Sequence, residues 1–247
     1  MEDLQQVKKR LEELAGRSSG RNAYVSSEFL TPVQQTLLVS LHLPAPYTLE
    51  GGYPQAERRI AWFGSENLCG WEQAPPLMWL EIAPKSAKFA EALSHRDYLG
   101  ALMHLGFRRE VLGDLLLQDG KAWLCCLDTM GEYICRQLET VRHTSVVVTP
   151  CPAPPENALP QPKEMQVVVA SARLDALVAA VYRLSRSESQ ALFDKELVFV
   201  NSLLARSTSQ DAKPGDLISV RGHGRFYFDG IDRETKKGRL RANVRVF

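Results

Sequence analysis

Arg173-Leu174-Asp175, Leu184-Ser185-Arg186-Ser187, Val198-Phe199-Val200-Asn201, Pro214-Gly215-Asp216 and Arg221-Gly222-His223-Gly224-Arg225 follow one another in the last third of this 247-residue chain, and their chemistry decides its fold. From Ser171 to Tyr182 the apolar residues Leu174, Leu177, Val178 and Val181 recur at i, i+3, i+4 and i+7, which is one buried face of a short helix. A second helix is predicted from Ser185, whose hydroxyl caps the amides that follow, with Glu188 at the third helical position closing a capping box. Arg186 and Ser187 then stand at the positive end of that helix, where an added guanidinium makes a phosphate site. Leu197 to Asn201 and Leu217 to Val220 alternate as strands, and Arg225 to Phe228 is a return strand. Gly222 and Gly224 bracket His223 and let a tight turn lie close to a phosphate backbone.

The order of these segments resembles the S4 RNA-binding domain, which implies a C-terminal S4 (αL) fold that binds structured RNA. The resemblance implies an RNA-facing set of Arg173, Ser185, Arg186, Ser187, Gln190, Lys195, Arg221, His223 and Arg225, with Asp175 orienting arginines within the domain. The tail adds a plain electrostatic signal. In Arg239 to Phe247, Leu240, Ala242, Val244 and Val246 alternate with Arg239, Arg241, Asn243 and Arg245, so three guanidiniums share one face of a strand. Lys236 and Lys237 precede it in a turn ending at Gly238. The same charges have a second reading, because edge strands carry charge to block aggregation.

Over the whole chain 30 Lys and Arg face 29 Asp and Glu, a formal charge of +1, so there is no global basic signature. The charge is segregated instead: from Gln166 onward there are 14 basic and 9 acidic residues, net +5, which leaves 16 and 20, net −4, before it. Such asymmetry fits a nucleic-acid module joined to something else. With 45% hydrophobic residues the chain can bury two or three small cores. No run approaches a membrane span and Met1 to Arg10 lacks an apolar signal region, so a cytoplasmic protein without membrane or DNA partners is expected. Cys69, Cys125, Cys126, Cys135 and Cys151 never form C-x-x-C; they are packing residues of a reducing compartment, Cys125 and Cys126 on opposite faces of a strand, and no zinc site or cofactor is expected.

Thr149 to Met165 holds six prolines and is expected to be an extended linker, residues 149–165, in front of an S4 domain at 166–247. Upstream, Leu77 to Ala83 is a predicted strand, Ser94 to Leu105 a helix, Val111 to Gln118 a strand, Lys121 to Leu127 a strand after the Asp119-Gly120 hairpin turn, Thr129 to Val141 a helix and Thr144 to Thr149 a strand. That βαββαβ order is the ferredoxin-like (RRM-like) pattern, over residues 69–148. Trp79 and Trp123 on two of its strands are either base-stacking residues or core. Arg108 and Arg109, after Gly106, are candidate phosphate contacts or a solvated turn. His95-Arg96-Asp97 has Leu102 where a kinase catalytic loop needs its metal-binding Asn, so Ser94 and Asp97 are assigned to a helix cap.

Residues 1–68 form a third, α/β unit. Leu4, Val7, Leu11 and Leu14 stripe one helix, and Thr31-Pro32 starts another that runs to Leu43. Gly51-Gly52-Tyr53-Pro54 lies close before Arg58 and Arg59, which suggests a phosphate contact through Arg58, or an ordinary connection with a charged helix start.

Three blocks in order, Gly51-Gly52-Tyr53-Pro54-Gln55-Ala56-Glu57-Arg58, His95-Arg96-Asp97-Tyr98-Leu99-Gly100-Ala101-Leu102-Met103 with Gly106, Arg108 and Gly113-Asp114, and the S4-like segments, resemble the YlmH family of bacterial S4 proteins. The resemblance implies an α+β architecture of N-terminal, ferredoxin-like and S4 domains. It also implies a non-catalytic partner of ribosomal RNA and the large ribosomal subunit, in rescue of stalled subunits carrying peptidyl-tRNA, with a link to cell division. Lys195-Glu196-Leu197 departs from the family in lacking the glycine common before the S4 strand. Two other readings stand beside this one: an RNA-modifying enzyme targeted by an S4 domain, whose catalytic motifs are not visible, and a cell-division adaptor using the acidic N-terminal half.

Overall fold

The computed structural model describes residues 4–201, 203–205, 207–235 and 238–247, which divide into two compact units, Met1–Leu159 and Pro160–Phe247. Lys236 and Lys237 lie outside the described residues. No helix among the described residues is long and apolar enough to cross a membrane.

The first unit begins with α1 (Leu4–Arg21), whose buried stripe is Val7, Leu11, Ala15 and Ser18, the helical period expected. Strand β1 (Val25–Ser26) and helix α2 (Pro32–Val39) follow. Thr31 and Gln34 close a capping box on α2, and Pro32 supplies its first turn. The helix ends short of the expected Leu43, at Ser40, whose Oγ donates to the Leu37 carbonyl at 2.7 Å. Strands β2 (Tyr47–Glu50) and β3 (Ile60–Phe63) complete a three-stranded antiparallel sheet of order β1-β3-β2, and the short α3 (Glu66–Cys69) ends at Gly70.

Then come β4 (Leu77–Pro84), α4 (His95–His104), β5 (Leu112–Gln118), β6 (Lys121–Leu127), α5 (Asp128–Gln137), β7 (Thr140–Val141) and β8 (Thr144–Cys151). Their sheet has the order β5-β6-β4-β8-β7 with every pair antiparallel, so the chain follows the split βαβ pattern. Asp119 (φ 49°) and Gly120 (φ 75°) make the two-residue turn between β5 and β6. The second helix is shorter than expected, because Thr140 and Val141 leave it to pair with Ser145 and Thr144 across a turn at Arg142 (φ 53°).

This sheet is buried on both faces. Leu80, Ile82, Leu124 and Cys126 point to the helices, where Tyr98 and Leu102 of α4 and Ile134 of α5 meet them. Trp79, Trp123, Cys125 and Leu116 point the other way, into a cluster with Phe29, Ile60 and Ala158. Cys125 and Cys126 thus part to opposite faces. The residues expected to form separate domains at 1–68 and 69–148 share that second cluster, and a common core makes them one compact unit. The proline-rich segment is not a free linker either: it ends β8, turns at Glu156–Ala158, buries Ala158 beneath the tryptophans and re-enters a strand at Lys163.

The second unit opens with that strand, β9 (Lys163–Val169), then α6 (Leu174–Tyr182), α7 (Arg186–Asp194), β10 (Val198–Val200), β11 (Leu203–Leu204), β12 (Leu217–Val220), β13 (Gly224–Glu234) and β14 (Leu240–Val246). The sheet order is β11-β10-β12-β13-β14-β9. One face packs Val198, Ile218, Phe226, Phe228 and Val244 against Leu174, Leu177 and Val178 of α6. β14 pairs with β13 on one side and with β9 from Lys163 to Val169 on the other, so its arginines are not protecting an edge.

Candidate nucleic-acid interface

Ser185 caps α7 with its Oγ accepting the Glu188 amide at 3.2 Å while Glu188 Oε2 accepts the Ser185 amide at 2.7 Å. Bonds from Ser185 hold the Glu188 carboxyl below the usual range. Ser187 Oγ lies 3.1 Å from Ser185 Oγ, and Arg186 is exposed as the first helical residue. Gln190, one turn further, donates to Asp194 at 3.1 Å. The chain enters the helix through Arg183, an exposed residue in the left-handed conformation (φ 55°) that ends α6.

Lys195 is exposed at the other end of α7. The turn forms without a glycine: Glu196 adopts φ 56°, its N–H donates to the Phe193 carbonyl at 2.9 Å, and the Leu197 N–H donates to the Leu192 carbonyl at 3.0 Å. That is a Schellman termination with a side chain at the position where glycine is cheapest.

The glycine turn lies beside the helix pair. Gly222 (φ 85°) and Gly224 (φ 124°) carry His223 around a bend in conformations that disfavour other residues. The His223 ring sits 5.4 Å from that of Tyr182, the last residue of α6, and Tyr182 also packs edge-on against Phe226 at 5.9 Å. Tyr182 thereby brings the α6–α7 turn, with Arg183 and Arg186, to the same end of the unit as Arg221, His223 and Arg225. Burial pushes the Tyr182 phenol up to about 12, and its hydroxyl has no partner among the described residues.

The remaining arginines of this unit differ in freedom. Arg221 and Arg225 lie over the rings of Phe199 and Phe247, each 4.6 Å from the centroid. Arg245 lies 4.9 Å over Tyr227 and grips Asp229 with two nitrogens, each at 2.9 Å, a pairing that raises its pKa. Arg241 reaches Gln166 at 3.5 Å, and Arg239 is exposed just before β14. Arg173 stands at the start of α6 and forms a two-pronged pair with the buried Asp175 at 2.8 and 3.0 Å, which raises its pKa, so its planar edge is already occupied.

The upstream candidates do other work. Arg58 donates to the carbonyls of Leu112 (3.1 Å), Phe29 (3.1 Å) and Arg109 (3.3 Å), and burial lowers its pKa. Arg109 donates to the Gly113 carbonyl at 2.9 Å; burial first, then the neighbouring Arg58 charge, bring it down to about 10. Asp114 completes this clasp, accepting from Tyr53 Oη at 2.8 Å and from the amides of Glu57 and Arg58 at 2.6 and 3.0 Å. The Gly51-Gly52 pair serves close packing: a Cβ on Gly52 would lie 2.8 Å from Trp79 Nε1. The phosphate contact expected at Arg58 and Arg109 therefore gives way to a structural clasp between the three-stranded sheet and β5. Arg108 is largely exposed and pairs with Glu28. Trp79 and Trp123, each 5% exposed, are core residues and offer no stacking surface.

Arg183, Phe199, Tyr227 and Phe247 are not singled out by sequence reasoning. For the aromatics a signal exists in the strand alternation, since Phe199 and Tyr227 occupy, and Phe247 directly continues, the polar phase of a strand whose other phase is buried. Among the described residues no cluster of three or more His, Cys, Asp or Glu could hold a metal ion.

Residues 77–154 match the family model described as "Putative RNA-binding domain in YlmH". The chain is 29% identical over 222 residues to the "Ribosome-associated protein quality control protein P2" of Bacillus subtilis (strain 168), covering 87% of this chain and 84% of that protein. Among solved structures it is similar to "Cell division protein ylmH from Streptococcus pneumoniae", with a TM-score of 0.48, 18% identity, and coverage of 60% of this chain and 90% of that one. The matched domain at residues 77–154 and the long alignment with the Bacillus protein support the YlmH family for this chain.

Proposed function

We propose that this protein is a non-catalytic RNA-binding factor of the ribosome, acting on ribosomal RNA of the large subunit in quality control of stalled particles that carry peptidyl-tRNA. The observation that carries this reading is the Tyr182–His223 contact, which gathers Arg183, Arg186, Arg221, His223 and Arg225 around a capped helix start and a glycine turn. A helix N-terminus with exposed amides and guanidiniums holds phosphates, and contacts of that kind bind RNA by shape rather than by sequence. The ribosome as the site of action is supported by the name of the Bacillus relative and by the matched domain. In this reading the first unit is a protein-contact body, or meets RNA through surfaces other than its sheet, because the sheet face used by RRM domains is packed against Phe29 and Ile60.

Gradient sedimentation of stalled-translation extracts tests the proposal. The protein is expected in the large-subunit fractions, more strongly when peptidyl-tRNA is retained, and Arg186→Ala should shift it toward the top. Recovery only with free tRNA, with the small subunit or unbound would overturn the assignment.

A further inference from the structure

We propose that the open face of the second unit's sheet is a stacking platform for the bases of an unpaired RNA segment, adjoining the phosphate-binding end described above and sharing Arg221 and Arg225 with it. This deepens the RNA-binding reading and rests on it.

Strand register puts the relevant side chains on one face. Phe199 faces Ser219, Ser219 faces Arg225, and Tyr227 faces Arg245 across successive strand pairs. Residues two apart on a strand share a face, so Arg221 joins Ser219, Tyr227 joins Arg225, and Phe247 continues the phase of Arg245. The opposite phase is the core under α6 and α7. No helix of the second unit covers the open face among the described residues, and Val168 on its β9 row is 48% exposed.

Three arginine–aromatic pairs stand on that face: Arg221 on Phe199, Arg225 on Phe247 and Arg245 on Tyr227, at 4.6, 4.6 and 4.9 Å. Guanidiniums and aromatic rings grouped on one face are the kind of surface on which nucleobases stack. Arg245 is fixed further by its two bonds to Asp229, which neutralise its charge and leave its plane. Net charge on the face favours a polyanion, with Arg221, Arg225, Arg241 and Arg245 against Glu164 and Asp229. Beside the platform, Gln166 Nε2 donates to Asn243 Oδ1 at 2.9 Å, an amide pair able to meet base edges. Duplex RNA cannot use such a platform, because its bases are stacked on one another.

The test uses the full chain with a single-stranded eight-nucleotide RNA carrying 2-aminopurine, and a blunt RNA duplex. Binding of the single strand should quench the 2-aminopurine. The variant F199L/Y227L keeps every charge and loses two of the rings; it should bind the single strand about tenfold more weakly, with quenching lost, and keep duplex affinity within about twofold. Because Phe199 and Tyr227 are half-buried, Y227L is measured alone as well, with its thermal melt, and should show the same loss to a smaller degree. Arg186→Ala should do the reverse, weakening the duplex and sparing the quenching, which separates failure of the platform from failure of the phosphate site. Absence of quenching in the native protein, equal losses on single strand and duplex in the leucine variants, or displacement of the RNA by polyglutamate as readily as by unlabelled RNA would overturn the proposal.

Discussion

The two large sheets of this molecule carry similar aromatic residues in opposite circumstances. In the first unit Trp79 and Trp123 face a layer formed by Phe29, Ile60 and Ala158, and are core. In the second, Phe199, Tyr227 and Phe247 occupy the sheet face away from α6 and α7, each under an arginine. A sheet with a helical layer on one side has a free face only until another segment claims it. In the first unit the N-terminal segment and the proline-rich stretch have claimed it. The lesson is that the RRM-like topology and the stacking-competent surface have come apart: the unit with the topology has lost the open face, and the unit without it has kept one.

That contrast can be broken by mutation, most strongly in the first unit. Trp79→Ala should destabilise it by about 3–5 kcal/mol, as expected for deleting a buried aromatic, whereas Tyr227→Ala should cost about 1 kcal/mol and act on RNA affinity instead. Urea unfolding followed by tryptophan fluorescence checks the first number, since all four tryptophans precede residue 160. Asp114→Ala should cost about 3 kcal/mol in the same transition, because one carboxylate accepts from Tyr53, Glu57 and Arg58 and its loss leaves those donors without it. A loss below about 1 kcal/mol would mean that the clasp does not hold the covering layer in place.

Two smaller effects concern the second unit. Arg186→Ala should weaken RNA binding by about 1–3 kcal/mol and lower its salt dependence, with the thermal melt unchanged. Glu196→Gly should stabilise the unit by up to about 1 kcal/mol, since it relieves a left-handed residue that carries a side chain. An unchanged or lowered melting temperature would show that the Glu196 side chain compensates for its backbone.

Much of this is legible in the sequence because it is local. The α7 capping box, the Asp119-Gly120 hairpin, the Thr31 cap and the strand alternation of β14 are set by residues close to one another along the chain. Long-range packing is not legible. Nothing near Arg58 announces that its guanidinium meets the carbonyls of Phe29, Arg109 and Leu112, and a paired glycine followed by arginines reads equally well as a phosphate loop. The strand β9 is hidden by the prolines before it, although Val167-Val168-Val169 is a β-branched run. Without it β14 looks like an edge, and the arginines' purpose looks like protection from aggregation.

Ultraviolet crosslinking of the full chain to ribosomal particles, with the crosslinked residues located by mass spectrometry, tests the division between the two sheets most directly. Crosslinks are expected at Phe199, His223, Tyr227 and Phe247 of the second unit, and none at Trp79 or Trp123. Crosslinks concentrated on Trp79 and Trp123, with the second unit silent, would contradict the account.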